Sequence, residues 1–356
     1  MEAIYWVLNW ACHRRCTHCY DDRFRPYVRG ALANVVAESQ LAYPKIIENL
    51  PDDFTFLTKS GRRERGRLVL AGGELLIDGV REPVFYPVLE ALRAKYGAHG
   101  PRIGIQTTGD ILTPKLIGEM LDRGVDMIAI ASIDDYHVGL QGDAKFALME
   151  KIRAMMAPFG VKEVPPSGQL DPRLNPSAPI ERPGRDVPTF LFFGAQPDLW
   201  IGELWPRGRA WKNGLSNATY ETNFCARWSG GQNFLNHGHA GSEVAVEPDG
   251  AIYPCCLKTK APLGYLTEEK LIDILDSLKS HPALQAINAG DPEAMGLENG
   301  WSRDDYRRAS ETTDPKGKPF ANPCIGCDAY FEQKLGPELR ALRLERLARR
   351  GLASSS

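Results

Sequence analysis

The stretch Ala3-Ile-Tyr-Trp-Val-Leu-Asn9 runs straight into Trp10-Ala-Cys12-His-Arg-Arg-Cys16-Thr-His-Cys19. Its first half is short, apolar and rich in β-branched and aromatic residues, which predicts a strand. Its second half sets three cysteines in CxxxCxxC spacing on the loop that follows. A disulfide framework belongs to short secreted chains. This chain has 356 residues and no basic segment before its first apolar stretch, so it does not read as exported. A buried free thiol explains a lone cysteine but not three on one loop. Three thiolates can hold three irons of a [4Fe–4S] cube and leave the fourth iron open to a small molecule. The competing reading is structural zinc, with His13 or His18 as fourth ligand. Zinc sites favour CxxC pairs set apart by a longer spacer.

Outward from that loop, strand and helix patterns alternate. Strands are expected over 67–71, 102–108, 126–131 and 189–194. Helices are expected over 34–49 (disturbed at Pro44), 83–96, 114–123 and 143–157. Thr113 before Pro114 fits an N-cap with Pro at N1, and Gly97 and Gly124 fit helix stops. This alternation predicts an α/β fold with a parallel sheet. The Pro-rich stretch 163–188 cannot be a regular helix.

CxxxCxxC after a first strand resembles the signature of the radical S-adenosylmethionine (SAM) superfamily. That family's form is CxxxCxΦC, with an aromatic-like residue where His18 stands. Gly72-Gly73-Glu74, after the 67–71 strand, is similar to the family's GGE motif. The resemblance implies that its backbone and carboxylate hold the amino group of SAM. The glycines would let the backbone approach the ligand, and Glu74 would accept from an ammonium. Thr107 and Thr108 end the 102–108 strand, and Ser132 and Asp134 follow the 126–131 strand. They stand where the family's third and fourth strands meet SAM. The implied fold is a partial (β/α)6-type barrel with an irregular fifth unit, closed by the 189–194 strand.

The remaining cysteines lie late in the chain. Cys225 precedes Glu247-Pro-Asp-Gly250-Ala-Ile-Tyr-Pro-Cys255, and Pro-Asp-Gly between two apolar runs predicts a hairpin over 242–247 and 251–253. Pro323-Cys324-Ile-Gly-Cys327 comes last. This pattern resembles the C-terminal SPASM/twitch extension of radical SAM enzymes, in the shorter form with one auxiliary cluster. The resemblance implies Cys225, Cys255, Cys324 and Cys327 as ligands of an auxiliary [4Fe–4S] cluster. Cys256 either replaces Cys255 or is a buried thiol, and half of a zinc knuckle is the alternative for Cys324 and Cys327. Pro206-Arg-Gly-Arg-Ala210 looks like the segment leading into that extension. The expected division is a barrel over 1–200, a bridge over 201–224, an auxiliary domain over 225–334, and a C-terminal helix and tail over 335–356.

Composition narrows the function further. Lys+Arg 43 against Asp+Glu 45 gives a formal charge of −2, which excludes a globally basic nucleic-acid wrapper. No apolar run reaches the roughly 20 residues of a membrane span, so no nucleic acid, no membrane and a cytoplasmic location are expected. The basic run 59–67 reads as a solvated loop. Leu335, Leu339 and Leu342 read as the packed stripe of a C-terminal helix. The seven tryptophans read as core or pocket walls. The Gly-rich stretch 229–241, with His237 and His239, reads as a surface insert rather than part of an active site.

The resemblance implies reductive cleavage of SAM to a 5′-deoxyadenosyl radical, with an electron donor such as flavodoxin or ferredoxin. The radical then abstracts a substrate hydrogen, and the auxiliary cluster accepts the electron left behind. The expected outcome is oxidative modification, by crosslink or dehydrogenation, of a peptide or protein side chain. Dehydrogenation of a small metabolite is the alternative, and a non-catalytic zinc protein lies outside the class. No leader-recognition domain is expected before the first strand, so a peptide substrate would need a separate recognition protein.

Overall fold

The computed structural model describes residues 1–97, 100–164, 187–195, 203–227 and 233–353. Its strands, in chain order, are β1 (Ala3–Val7), β2 (Thr55–Leu57), β3 (Arg63–Arg65), β4 (Arg67–Ala71), β5 (Arg102–Thr107), β6 (Val125–Ile130), β7 (Lys162–Glu163), β8 (Thr189–Phe192), β9 (Glu243–Val246), β10 (Ala251–Tyr253) and β11 (Gly264–Tyr265), followed by a short hairpin over 311–321. Nine of them form one sheet in the order β11-β10-β9-β1-β4-β5-β6-β8-β7. Every pairing from β9 through to β7 is parallel, whereas β10 and β11 are antiparallel.

Alternation along the strands decides the layers. Ile4, Trp6, Leu68, Leu70, Ile105, Ile128 and Ile130 are buried and pack with helix residues such as Ile46, Val88, Leu89, Ile117 and Ile152. The intervening residues Tyr5, Val69, Gln106, Met127 and Leu191 are only half-buried. They face the side that the helices leave open. This is the partial α/β barrel expected from the sequence.

Several boundaries differ from expectation. The first helix begins at Arg29, and the exposed Pro44 sits inside it without ending it. Residues 83–96 are not one α-helix: a π turn over Arg81–Phe85 precedes the helix Tyr86–Tyr96. The expected hairpin forms as β9 and β10, with Ile252 opposite Val246. It also extends the barrel sheet, because β9 lies parallel to β1, with Ile4 opposite Val244 and Trp6 opposite Val246. The 189–194 strand is therefore not the end of the parallel array. Val244 and Val246 are fully buried and continue the apolar layer beneath Ile4 and Trp6. Nor is β8 an edge, since the two-residue β7 lies outside it. Most of 163–188 lies outside the described residues.

Thr113 caps its helix as expected, accepting from the Leu116 N–H. Thr113→Ala should cost about 1 kcal/mol, read as a lower urea midpoint at unchanged m-value.

Other segments fall away from the cysteines. His237 pairs with Asp276 at 3.0 Å, and Leu57 bridges the 238–240 backbone. That places His237 and His239 at the N-terminal ends of the strands, the opposite end from the cysteine loop. The basic run forms part of the solvated β2–β3 hairpin, with Arg62 paired to Glu64 and Arg63 to Asp53. Leu335 and Leu339 are buried, and Leu342 packs against the core. Trp6 and Trp205 are buried, whereas Trp200 and Trp228 lie outside the described residues. Among the described residues, no helix is long and apolar enough to cross a membrane.

Candidate functional site

The C-terminal ends of β1, β4, β5 and β6 gather the residues singled out above. Ligands of open parallel sheets bind at this end. The cysteine loop is fastened at its root by Asn9, which is fully buried. Its Oδ1 accepts from Ala11 N–H at 2.8 Å, and its Nδ2 donates to Val35 O and Ser39 Oγ on the first helix. Cys12 N–H donates to Arg25 O at 3.0 Å, closing the loop on its far side. Arg14 braces it across the sheet: two of its nitrogens bind Asp110 Oδ2, at 3.1 and 2.6 Å, and Nη1 donates to Val138 O.

Gly72-Gly73-Glu74 lies directly under this loop. Gly73 N–H donates to Asn9 O at 3.1 Å, and Glu74 N–H donates to Ala11 O at 2.9 Å. A Cβ on Gly73 would lie 2.2 Å from Ala11 O and 2.7 Å from Cys12 Cβ. Here, then, the glycine is required by the neighbouring cysteine loop, a different reason from the ligand approach expected above. The Glu74 carboxylate is buried and already occupied. It accepts from Thr108 N–H (2.8 Å), Thr108 Oγ1 (2.8 Å), Thr107 Oγ1 (2.9 Å) and Leu76 N–H (3.1 Å). A carboxylate has about four acceptor positions. In this structure Glu74 therefore orders the Thr107–Thr108 turn. Burial pushes its pKa up, against the bonds from Thr108, Leu76 and Thr107.

From Thr108 the network continues outward. Its hydroxyl, whose single proton is shared between Glu74 and Asp110, also reaches Asp110, which receives His13 and Arg14 as well. Burial would raise the Asp110 pKa, but these donors hold it well below the carboxylate range. Ser132 is fully buried and donates from Oγ to Thr108 O at 2.6 Å. Asp134 accepts from Tyr136 N–H, His137 N–H, Ala195 N–H and His137 Nδ1, the last at 2.8 Å. Burial opposes its charge, yet His137 brings its pKa down to about 2. His18 stacks on Tyr136 at 5.0 Å, meets His137 edge-on, and places Nε2 3.7 Å from Asp134 Oδ2. Burial pushes its imidazole down to about 4.

The sequence reading missed His137, Asp110 and Arg14. His137 stands three residues after Asp134, in a turn where both side chains share one side. That spacing was a usable signal. His137 is also bonded toward Cys16; burial would lower its pKa, but Asp134 and Cys16 raise it to about 9.

The second cysteine set converges as well. Cys225, Cys255, Cys324 and Cys327 line one small cavity together with Arg207, Phe224 and Lys258. Cys256 is not among its lining residues, and it lies close enough to Tyr5 and Tyr20 to act on their phenols. Asn322 caps the helix Pro323–Tyr330 by accepting from Cys324 N–H, which fixes the CxxC turn.

Both sets suit a soft metal centre. Burial pushes the thiols up, Cys12 and Cys324 to about 12 and Cys19 and Cys255 to about 11. Each also feels its neighbours, Cys12 through Cys16 and Cys19, and Cys225 through Cys255 and Cys324. Grouped buried thiols become thiolates when iron or zinc supplies the opposing charge. All-sulfur donor sets select such metals. Three cysteines on one loop leave an open coordination position, and four around one cavity do not.

Residues 239–328 match the family model of the SPASM iron-sulfur cluster-binding domain. Among curated proteins, none matches the sequence. Among solved structures, BtrN in complex with AdoMet and 2-DOIA is 16% identical, covering 82% of this chain and 88% of that one, with a TM-score of 0.44. The anSMEcpe structure with bound AdoMet and Cp18Cys peptide is 14% identical, covering 96% and 99%, with a TM-score of 0.44. Streptococcus suis SuiB bound to precursor peptide SuiA is 10% identical, covering 85% and 73%, with a TM-score of 0.41. At these scores the likenesses are distant. Behind a parallel α/β sheet whose first loop carries three cysteines, the chain has a SPASM iron–sulfur cluster-binding domain.

Proposed function

We propose that this protein is a radical SAM enzyme that oxidatively modifies the side chain of a peptide or protein. The observation that carries this is the placement of two cysteine sets about one sheet. Three stand at the C-terminal end of β1, and four surround one cavity beyond the β9–β10 hairpin. When bound, the N-terminal [4Fe–4S] cluster with SAM supplies a 5′-deoxyadenosyl radical that takes a hydrogen atom from substrate.

The chain's own residues prepare that site. Cys12, Cys16 and Cys19 would hold the cluster, and Cys225, Cys255, Cys324 and Cys327 the auxiliary one. Gly73 and Asn9 hold the cysteine loop in place. Glu74 fixes Thr107 and Thr108, and Thr108 fixes Ser132 and Asp110, so the ends of the three strands β4, β5 and β6 are tied together. Such linked supports hold a site to its working geometry. Tyr5 donates to Gln106 Oε1 at 3.0 Å and meets the Tyr20 hydroxyl at 3.2 Å, giving the open face of the sheet a polar patch beneath the loop. Flavodoxin or ferredoxin is the proposed electron donor.

The test is incubation of anaerobically reconstituted protein with SAM, a reductant and either candidate precursor peptides or small alcohols. Mass spectrometry should show loss of about two hydrogens from the peptide, a change of −2 Da. That loss in the small alcohol alone would move the reading to a metabolite dehydrogenase.

A further inference from the structure

Residues 206–210 touch both cysteine sets, and Gly208 permits it. Its φ is +51°, and a Cβ there would lie 2.3 Å from the Tyr20 carbonyl carbon and 2.5 Å from Asp21 N. Only glycine allows that conformation and approach together. On one side, the N–H groups of Arg209 and Ala210 both donate to Cys19 O, at 2.8 and 3.2 Å. The Arg209 guanidinium donates to Cys16 O (2.7 Å), Phe24 O (2.8 Å) and Asp22 O (3.3 Å). On the other side, Arg207 lines the cavity of the four later cysteines. It donates to Leu257 O (3.1 Å), Lys258 O (3.4 Å) and Cys324 O (3.5 Å), and pairs with Asp328 at 3.0 Å.

We propose that Arg207 is a positioning residue that raises the reduction potential of the auxiliary cluster, so that the cluster can accept the substrate's electron. This rests on the reading that Cys225, Cys255, Cys324 and Cys327 hold a [4Fe–4S] cluster. Reduction adds one negative charge to a centre already carrying four thiolates. A guanidinium keeps its charge at any working pH and favours the more negative state. In a largely buried site that attraction is only weakly screened. Charge and hydrogen bonding around the sulfurs are established controls of cluster potential. Arg207 lines one cavity with Cys225, Cys255, Cys324 and Cys327, and its guanidinium reaches Cys324 O at 3.5 Å, which sets its charge beside the thiols. Asp328 works the other way, offsetting part of the Arg207 charge.

The redox step balances. Loss of one electron and one proton from the substrate radical would leave a new bond in the product: the proton would go to water, and the electron to the cluster that Cys225, Cys255, Cys324 and Cys327 would hold, and from there to a one-electron carrier protein.

The experiment uses the full chain with Cys12, Cys16 and Cys19 all changed to Ala, so that only the auxiliary signal remains. Its midpoint is followed by potentiometric EPR. Arg207→Met should disfavour the reduced state at least tenfold, which is a drop of about 59 mV for one electron. Arg207→Lys should recover most of that loss. Asp328→Asn should shift the midpoint upward. A purely structural role would not move the two neutralising variants in opposite directions. If Arg207→Met fails to load iron, Asp328→Asn decides alone: a rise supports the proposal and an unchanged midpoint overturns it. Iron-loaded variants that all share one midpoint also overturn it. If the triple-Ala chain binds no iron, the four-cysteine reading itself fails and takes the proposal with it.

Discussion

Gly73→Ala is expected to remove the N-terminal cluster while leaving the auxiliary cluster in place. The new methyl would sit 2.2 Å from Ala11 O, 2.6 Å from Ala11 C and 2.7 Å from Cys12 Cβ. None of these is the movable end of a side chain. Gly73 does not have a positive φ, so the backbone itself accepts alanine and the effect is steric alone. Relief requires the cysteine loop to lift, which breaks the bonds from Gly73 N–H to Asn9 O and from Glu74 N–H to Ala11 O. Overpacking of this kind costs about 1–3 kcal/mol, at times more. The fold should survive, because the clash lies at the strand ends and not in the apolar layer. Iron per chain should fall from about eight to about four, as one of two cubes is lost. Formation of 5′-deoxyadenosine should cease. A variant that keeps full iron and full SAM cleavage would show that the Gly73 contact does not govern the loop.

Cys324→Ala should separate the two halves of the reaction. Cys324 lines the cavity with Cys225, Cys255 and Cys327, and its helix turn is fixed by Asn322. Removing it leaves three thiols for a centre that needs four. The N-terminal loop does not depend on it, since that loop is held by Asn9, Arg25, Arg14 and Arg209. SAM cleavage should therefore continue, within a few-fold of the native rate. The −2 Da product should fall by at least about a hundredfold, comparable with removal of a catalytic group. Product formation at the native rate would contradict an electron-accepting role for this centre.

Much of this was legible in the sequence. The 67–71 strand was read to the residue, because a short apolar run bounded by arginine and glycine leaves little ambiguity. Cys225, Cys255, Cys324 and Cys327, singled out by their spacing, line one cavity. What stayed hidden was side-chain direction across long separations. Glu74 meets Thr107 and Thr108 more than thirty positions later, and its occupation by those donors depends on the register of β4 against β5. The parallel pairing of β9 with β1 joins residues some 240 positions apart, and no local pattern encodes it. Arg207 and Arg209 look alike in sequence. They part only because Gly208 turns the backbone against Tyr20. The His237 stretch carried suggestive chemistry, yet it sits at the N-terminal strand ends, next to Leu57.

The most direct test of the central claim is 5′-deoxyadenosine formation by anaerobically purified protein given SAM and a reductant, with iron measured on the same sample. The expected protein is brown, holds about eight irons per chain and forms 5′-deoxyadenosine. In Cys16→Ala the circular dichroism spectrum should be unchanged and 5′-deoxyadenosine should disappear. Colourless protein carrying zinc, or undiminished SAM cleavage by Cys16→Ala, would contradict the assignment.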